Sequence, residues 1–329
     1  MKQSILKNTP PLSQFTSMDK KIKPYVYGIE MKYSRIIPCS VLCFVIFWGC
    51  AVPLKRLEIK GISTKIEKDT IISGKTGKTI SFHDMVSDLL DVQIVYIGEQ
   101  HNNSEHHKIQ LKIIEELYEK DSKLSVGMEM FDHSYQPILD RWYAGELDEK
   151  SFLKKVHWYS NWKYDFKLYR QILLFIKENH IRLIGLNIPF HLPPKIATGG
   201  IETLSHIEKQ FLPKEIDTSN AEHRAYVRDV FNRHHVKGRE DFENFYMAQC
   251  VWDEAMAESI VHHIDSSKIV VLAGNGHIYR KFGIPQRVYH RIPISYRTIY
   301  LAPVGTRVEL SDGDYIWATA ARYKKHALR

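Results

Sequence analysis

Four long apolar runs recur along the chain and are separated by stretches with helical periodicity. They cover residues 92–98, 124–131, 181–189 and 268–277. Runs of this kind, rich in β-branched side chains, are typical of strands buried on both faces of a sheet. Ile109, Ile113 and Leu117 then recur at helical spacing after the first run. The alternation predicts an α/β fold, with a mainly parallel β-sheet flanked by helices and wound right-handedly.

The rest of the pattern divides into shorter units. Residues 80–90 predict a short strand that leads into a helix, and residues 297–303 and 314–320 predict further strands, antiparallel at an edge of the sheet. Residues 191–246 contain few long apolar runs and are too many for one crossover connection. We expect them to form a smaller α-helical insertion.

The beginning of the chain has a different character. Lys32 and Arg35 precede an apolar run that ends at Gly49 and Cys50, which is the charged, apolar and small-residue order of a secretory signal. The Gly-Cys ending resembles the lipobox of bacterial lipoproteins, in which the cysteine becomes the lipid-modified first residue. We therefore expect a lipoprotein signal peptide at 31–49. The alternative is an uncleaved N-terminal anchor.

The signal sets the expected boundaries of the other segments. Met31 stands where a signal would begin, so residues 1–30 are interpreted as a non-native N-terminal extension. Residues 50–79 are polar at first and are expected to form a tether. The remaining segment, 80–321, is expected to be one domain.

The charge of the chain limits its possible partners, and its cysteine content limits the possible disulfides and metal sites. The whole chain carries a formal net charge of +8, but residues 50–329 carry 39 Lys and Arg against 36 Asp and Glu. No long basic stripe remains, so we expect no nucleic-acid partner. Three of the four cysteines lie at or before Cys50, and only Cys250 is internal. The domain therefore has no intramolecular disulfide framework and no thiolate metal cluster.

Two of the apolar runs end in the same way. Gly98-x-x-His101 follows the first run and Gly274-x-x-His277 follows the fourth, while Glu129 is near the end of the second. The carboxyl ends of parallel strands share one edge of a sheet, where ligands bind. With Glu99, which follows Gly98 directly, these residues are expected to form one rim.

Three kinds of chemistry suit such a rim. His101, His277 and Glu129 could hold a divalent metal with an open position. The two histidines with Glu99 and Glu129 could instead act as general base and acid in hydrolysis without a metal. The third alternative is a polar cluster that only fixes the loops. The residues leave these alternatives open.

A second candidate region lies in the expected helical insertion. Arg224, Arg228 and Tyr226 accompany His234 and His235 in a basic and aromatic segment. Such a segment could hold haem, which has an aromatic face, two propionates that pair with arginine, and an iron that binds Tyr or His. The alternative is a solvated basic helix surface.

Five stretches of the chain resemble, in the same order, stretches of a known protein family. They are GEQHNNSEHHKIQ at 98–110, GMEMFDHSYQPILDRW at 127–142, WYSNWKYDFKLY with LNIP at 186–189, AQCVWDEAMAESI at 248–260 and GNGHI at 274–278. The chain from about Phe82 to Ala321 resembles the ChaN-like haem-binding lipoprotein family. This family is a branch of the Tiki superfamily, which also includes Tiki-type metalloproteases and erythromycin esterases.

The resemblance implies a haem-binding lipoprotein that takes part in haem and iron acquisition. It implies a lipid anchor at Cys50 in a bacterial cell envelope, on the outer membrane facing the periplasm, with a homodimer as a further expectation. It also implies that His101, His277, Glu99 and Glu129 form the superfamily's shared active or metal site. Tyr246 joins the haem-ligand candidates on its chemistry alone. The alternative function is a hydrolase, of the metal-dependent peptidase or esterase type, that uses the rim.

Overall fold

The four apolar runs form the centre of one sheet in the computed structural model, which describes residues 55–233 and 240–321. The strands are β1 (Glu58–Ile59), β2 (Ile71–Ser73), β3 (Thr79–Ile80), β4 (Ile94–Glu99), β5 (Leu124–Asp132), β6 (Arg182–Asn187), β7 (Lys268–Gly274), β8 (Tyr296–Pro303), β9 (Arg307–Val308) and β10 (Tyr315–Thr319). Within the described residues, eight of them make a sheet in the order β3-β2-β10-β8-β4-β7-β5-β6. β1 and β9 form a separate parallel pair.

The sheet is mainly parallel, as the alternation predicts. Every neighbouring pair from β10 to β6 is parallel, and only the β10–β2 and β2–β3 pairs are antiparallel. All six residues of β4 and all nine of β5 are buried. This burial is what an uninterrupted apolar strand requires, because helices cover both faces of a parallel sheet.

Helices fill the connections and cover the sheet. They are α1 (Phe82–Leu90), α2 (Ser104–Lys120), α3 (Gln136–Tyr143), α4 (Glu149–Lys155), α5 (Trp158–Asn161), α6 (Arg170–Glu178), α7 (Leu192–Gly199), α8 (His206–Lys209), α9 (Ala221–Arg233), α10 (Phe242–His263), α11 (Asn275–Ile278) and α12 (Ile284–Arg291). Asn103 caps α2 by accepting a hydrogen bond from the Glu105 N–H. None of the helices among the described residues combines the length and apolarity needed to cross a membrane.

Two apolar clusters hold the sheet between its layers. On one face, Ile113 and Leu117 of α2 pack with Val95 and Ile97 of β4. On the other face, Met256 of α10 packs in a cluster that includes side chains of β4, β6, β7 and α12. Alternate residues of β4 thus contribute to opposite clusters, as the two-residue repeat of a strand requires.

Of the two strands expected to be antiparallel at an edge, β10 pairs antiparallel with β2, but β8 does not. β8 lies inside the sheet, parallel to both β4 and β10. It can do so because α12 precedes it and returns the chain across the sheet, as a parallel connection requires. The antiparallel edge is instead formed by β2 and β3.

The segments expected to be a tether and a helical insertion both contain regular secondary structure. Leu57 and Ile59 are buried, and Ile71–Ser73 pairs with β10, so residues 55–79 belong to the fold although their polar composition indicated a tether. Residues 191–246, in their described part, contain α7, α8, α9 and the start of α10. This agrees with the expected helical insertion.

The two Gly-x-x-His stretches meet where β4 and β7 end side by side. Glu99 is the register partner of Gly274. A Cβ atom on Gly98 would lie 2.1 Å from Asn275 Oδ1, and a Cβ on Gly274 would lie 3.0 Å from His101 Cε1. Each glycine therefore makes room for a side chain of the opposite stretch, which explains why both strand ends need one.

We predict that Gly98→Ala destabilises the protein by roughly 1–3 kcal/mol, because the new methyl group overlaps Asn275 and Ile278. Chemical denaturation followed by circular dichroism measures the loss. Gly276→Ala is the matched control, since a Cβ there meets only the Tyr226 hydroxyl oxygen at 3.5 Å, an ordinary contact. Equal stability of the two variants would contradict the reciprocal packing.

Candidate functional site

The sheet edge brings the four expected rim residues together. Glu99 and Glu129 are buried on β4 and β5, while His101 follows β4 and His277 lies on α11 just after β7. Glu129 Oε1 is 3.9 Å from His101 Nε2 and 3.5 Å from His277 Nε2. The two distant Gly-x-x-His stretches thus form one site with Glu129 between their imidazoles.

Glu99 is held as a carboxylate by several donors. Its Oε1 accepts a hydrogen bond from the Tyr169 hydroxyl at 2.6 Å and lies 2.8 Å from His101 Nδ1, while Oε2 accepts from Gln110 Nε2 at 2.8 Å. Burial alone would raise the pKa of Glu99, but the hydrogen bonds and charges of His101 and His107 hold it well below its usual value. Glu99 therefore orients the His101 ring and leaves Nε2 toward Glu129.

Glu129 is fixed by the strand ends as well as by the imidazoles. Its Oε2 accepts the Gly274 backbone N–H at 2.6 Å, and its carbonyl accepts the Asn187 side-chain amide at 2.9 Å. Burial would raise the pKa of the Glu129 carboxyl, but the charges of His277 and His101 lower it. The strand ends of β5, β6 and β7 are thereby joined through one side chain and its backbone.

Asp253 holds His277 on the other side of the site. Asp253 Oδ1 lies 2.6 Å from His277 Nδ1, and the carboxylate is fully buried on α10. Gln249, one turn earlier, places its amide nitrogen 3.1 Å from the same ring nitrogen. Asp253 thus does for His277 what Glu99 does for His101, so both Nε2 atoms turn toward Glu129.

Two further histidines extend the arrangement at its ends. His107 Nε2 is 3.4 Å from Glu99 Oε2, and His223 Nε2 is 3.5 Å from Asp253 Oδ2. Both rings are almost completely buried. Imidazoles and carboxylates therefore alternate through the site, and we call this set the rim array. It runs His107, Glu99, His101, Glu129, His277, Asp253 and His223.

The rim array favours protonated central imidazoles. Burial would lower the pKa of His277, but the charges of Glu129 and Asp253, with the hydrogen bond to Asp253, raise it to about 10. Burial likewise opposes protonation of His101, and the Glu129 charge with the Glu99 hydrogen bond raises its pKa. At neutral pH His277 is therefore a cation between two carboxylates.

An aromatic cavity of about 300 Å³ opens on His101 and Glu129. Its walls include Trp162, which lies edge-on to the His101 ring at 5.0 Å between centroids, and Trp252, which contacts the His277 ring at 5.3 Å. Pockets of this size and lining bind small molecules. The rim array thus has a reactive edge that faces a place for a ligand.

The geometry supports acid–base chemistry most directly. With Nδ1 bound to a carboxylate, a neutral His101 carries its lone pair on Nε2 and can accept a proton, while the His277 cation can donate one. Among residues 55–233 and 240–321, no group of three or more His, Cys, Asp or Glu side chains is arranged to hold a metal ion. A divalent metal at His101, His277 and Glu129 stays a prediction.

The haem-ligand candidates are more dispersed. Tyr226 stacks on Tyr279 with centroids 4.0 Å apart, and burial raises its pKa to about 12. Tyr246 is buried, and its hydroxyl points toward the carbonyl oxygens of Thr218 and Asn220 at 3.4 and 3.3 Å. His234, His235 and Cys50 lie outside the described residues. The structure therefore leaves Tyr226 as the more accessible of the two tyrosines.

The two candidate arginines pack helix α9 against helix α10. The Arg228 guanidinium lies 3.7 Å from the Phe242 ring centroid, and Arg224 lies 5.1 Å from the same centroid. Arg224 also pairs with Glu243, from which Arg228 is 3.9 Å away. Arg228 is about half exposed, and within the described part of the chain this long contact is its only ion pair, so its charge is the more available one.

Sequence reasoning missed the supporting residues of the rim array. Asp253 and Gln249 come from α10, and Tyr169 is the last residue of the aromatic stretch WYSNWKYDFKLY. Two carboxylates, Asp253 and Glu254, interrupt the apolar residues of α10 between Val251 and Met256, and this is the signal that could have identified Asp253. His107 follows His106 directly in a chain with 17 histidines, so its position alone gives no signal.

We predict that the His277 cation stabilises the fold below pH 6.5 and that this contribution is lost as pH rises toward 10. The sign follows from a folded pKa raised to about 10 against 6.5 for an ordinary histidine. Urea unfolding at pH 7 and pH 10 should show wild type losing roughly 1–3 kcal/mol more than His277→Gln, which cannot titrate. Parallel losses in both proteins would contradict the raised pKa.

One solved structure agrees with this architecture. The solved structure described as cofacial haem binding to ChaN of Campylobacter jejuni matches with a TM-score of 0.62 and 23% identity, over 75% of this chain and 95% of that one. At this identity the likeness shows the fold alone. An erythromycin esterase mutant in its open conformation matches with a TM-score of 0.43 and 15% identity, over 71% of this chain and 77% of that one.

A plant relative matches a large part of the chain. Protein RETICULATA-RELATED 5, chloroplastic, of Arabidopsis thaliana is 24% identical over 260 residues, which is 71% of this chain but only 35% of that protein. The chain thus spans about a third of this relative's length.

The family assignment rests on the match to a family model. The sequence model described as haem-binding uptake, Tiki superfamily, ChaN matches residues 85–288. This range contains the whole rim array and the helical insertion. The chain therefore belongs to the ChaN family of the Tiki superfamily.

Proposed function

We propose that this protein binds haem. The observation that carries the proposal is the match of residues 85–288 to the family of haem-binding uptake proteins. Haem needs an apolar face, cations for its propionates and a side chain that can bind iron. Helix α9 and its surroundings supply these chemical groups in one region.

The contacts of α9 support this placement. Tyr226 has an aromatic partner in Tyr279, and its hydroxyl oxygen lies 3.5 Å from the position of a Cβ on Gly276. A glycine there leaves the hydroxyl side open. Arg228, two residues along α9, offers a half-exposed guanidinium that can pair with a propionate. Tyr226 would hold the iron and Arg228 a propionate, with His234, His235, Arg224 and Tyr246 as further candidates.

The biological setting belongs to the same proposal. A lipid on Cys50 would hold the domain on the outer membrane of a bacterial envelope, facing the periplasm, where it would take part in haem and iron acquisition. The anchor is tested by the incorporation of labelled palmitate, which should occur in wild type and be lost in Cys50→Ser. Because haem has two faces, two copies could share it as a homodimer, and light scattering with and without hemin tests this.

We predict a saturable Soret shift when residues 50–329 are titrated with hemin, and a shift in its position in Tyr226→Phe, because a phenolate ligand is lost. His234→Ala and His235→Ala test the other candidates in the same assay. Tyr159→Phe is the matched control, since this tyrosine is 68% exposed on α5. Absence of stoichiometric binding by wild type would overturn the proposal.

A second candidate function is ester or peptide hydrolysis at the rim array. The observation that favours it is the cavity that opens on His101 and Glu129. Neutral His101 takes a proton from water, whose oxygen forms a bond to the acyl carbon. As the acyl carbon–leaving group bond breaks, the His277 cation gives its proton to the departing oxygen or nitrogen. One water is consumed, and an acid with an alcohol or amine is released.

We predict that His101→Asn and His277→Gln each lower kcat for a responsive ester by about 10²-fold or more, because each removes one proton-transfer group. The wild-type rate should rise with pH through a pKa above the usual 6.5 of histidine, since the pKa of His101 is raised. Elemental analysis of the purified protein decides whether a divalent metal takes part. Wild-type rates at the buffer level for esters and peptides would exclude this function.

A further inference from the structure

The net positive charge of the domain comes from one short part of the chain. Residues 55–80 contain seven Lys or Arg against three Asp or Glu, whereas residues 81–329 contain 32 against 33. The excess of cations in residues 50–329 therefore belongs entirely to the segment that follows Cys50 most closely. Segregation of charge in this way concentrates positive potential on one side of a protein.

This segment is folded onto the sheet, so its cations have defined positions. β1 pairs with β9, and β2 and β3 extend the sheet. The turn between β2 and β3 adjoins the loop after β1, since a Cβ on Gly77 would lie 3.2 Å from Ile62 Cδ1. Lys55 lies beside the start of β9, since a Cβ on Gly305 would lie 3.2 Å from its Cδ. The exposed cations on these adjoining segments form what we call the basic face, which consists of Lys55, Lys60, Lys65, Lys75, Lys78 and Arg307.

The charges of the basic face are available to a partner. Within residues 55–233 and 240–321, its lysines other than Lys60 form no ion pair. Lys60 and Arg307 each pair with a carboxylate but are 71% and 77% exposed, and exposed pairs of this kind are weak. With Lys65 they line one depression beside β1. Several cations of the basic face can therefore reach neighbouring anionic groups at the same time.

The distance along the chain to Cys50 limits where this face can be. Four residues separate Cys50 from Lys55, and five residue steps of extended chain span at most roughly 18 Å. A lipid on Cys50 would therefore keep Lys55 within this distance of the headgroups of a bilayer. Anionic headgroups attract nearby cations, and the attraction decays over about 8 Å at physiological ionic strength. A domain that turns its basic face to the bilayer brings these cations into range together.

We propose that the basic face docks on a bilayer surface that contains anionic phospholipids. The lipid would hold the domain at the membrane, and the basic face would determine which side of the domain is turned toward it. As the orientation of an anchored protein, this rests on the proposed lipid on Cys50. As a binding surface, it stands on the charges of the folded domain.

Binding to vesicles tests the basic face in the absence of the lipid. The apolar clusters around the sheet are built within residues 57–321, so residues 50–329 with Cys50→Ser keep the fold and carry no anchor. They should bind vesicles of phosphatidylcholine with an equal amount of phosphatidylglycerol at least about tenfold more tightly than phosphatidylcholine alone. This advantage should disappear between about 0.1 M and 1 M salt, because the Debye length falls from about 10 Å to about 3 Å.

Two pairs of substitutions locate the surface in the same assay. Lys65→Gln with Lys78→Gln should weaken binding by about tenfold or more, since each cation near the surface contributes a factor of about five. Lys154→Gln with Lys155→Gln removes the same charge from exposed positions on α4 and is the matched control. α4 packs on α3, which bonds to β6, so it lies at the opposite edge of the sheet from β3. The control pair should leave binding unchanged.

Equal binding to both kinds of vesicle, or equal weakening by the two pairs of substitutions, would overturn the basic face as a docking surface. Release by inorganic phosphate at a much lower ionic strength than by chloride would also overturn it, in favour of a site for free phosphate. Palmitate incorporation judges the anchor separately. Palmitate without a preference for phosphatidylglycerol supports the anchor and overturns the basic face, whereas the preference without palmitate supports the basic face and overturns the anchor.

Discussion

The position of Glu129 between two imidazoles is the constraint on which the site depends. A carboxylate buried to this extent needs nearby positive charge or hydrogen-bond donors. His101 and His277 supply the charge and the Gly274 N–H supplies a donor. Since these groups come from the ends of β4 and β7, the carboxylate on β5 joins elements that are distant in sequence. The glycine three residues before each histidine, Gly98 or Gly274, is part of the same constraint, because a larger residue there would separate the two stretches.

The rim array also separates two kinds of chemistry in one domain. His101 and Glu129 of the array line a small aromatic cavity, whereas the haem candidates Tyr226 and Arg228 lie on the helical insertion. The cavity is lined largely by aromatic side chains, and the insertion offers cations and a tyrosine for an anionic ligand. A haem-binding family can in this way retain a buried acid–base centre without using it for haem. The proposed haem binding and the proposed hydrolysis therefore depend on different residues.

The sequence predicts the central strands and the rim well, because both follow from local patterns. Uninterrupted apolar runs indicate strands buried on both faces, and parallel strands place Glu99, His101, Glu129 and His277 at one edge. Sheet order is not a local property, so the place of β8 inside the sheet could not be read from the chain. Asp253 reaches His277 from a helix whose rotation is set by packing. Residues 55–79 were misread because short strands that pair with distant partners have little local signal.

The most direct test of the central claim is the protonation of His277, followed by the ring ¹⁵N chemical shifts in a histidine-labelled domain. Glu129 and Asp253 on either side should keep both ring nitrogens protonated through neutral pH, with titration near pH 10. In Glu129→Gln the titration should move to lower pH, because one of the two stabilising charges is gone. A His277 ring that titrates near 6.5 in wild type and is unaffected by Glu129→Gln would contradict the account.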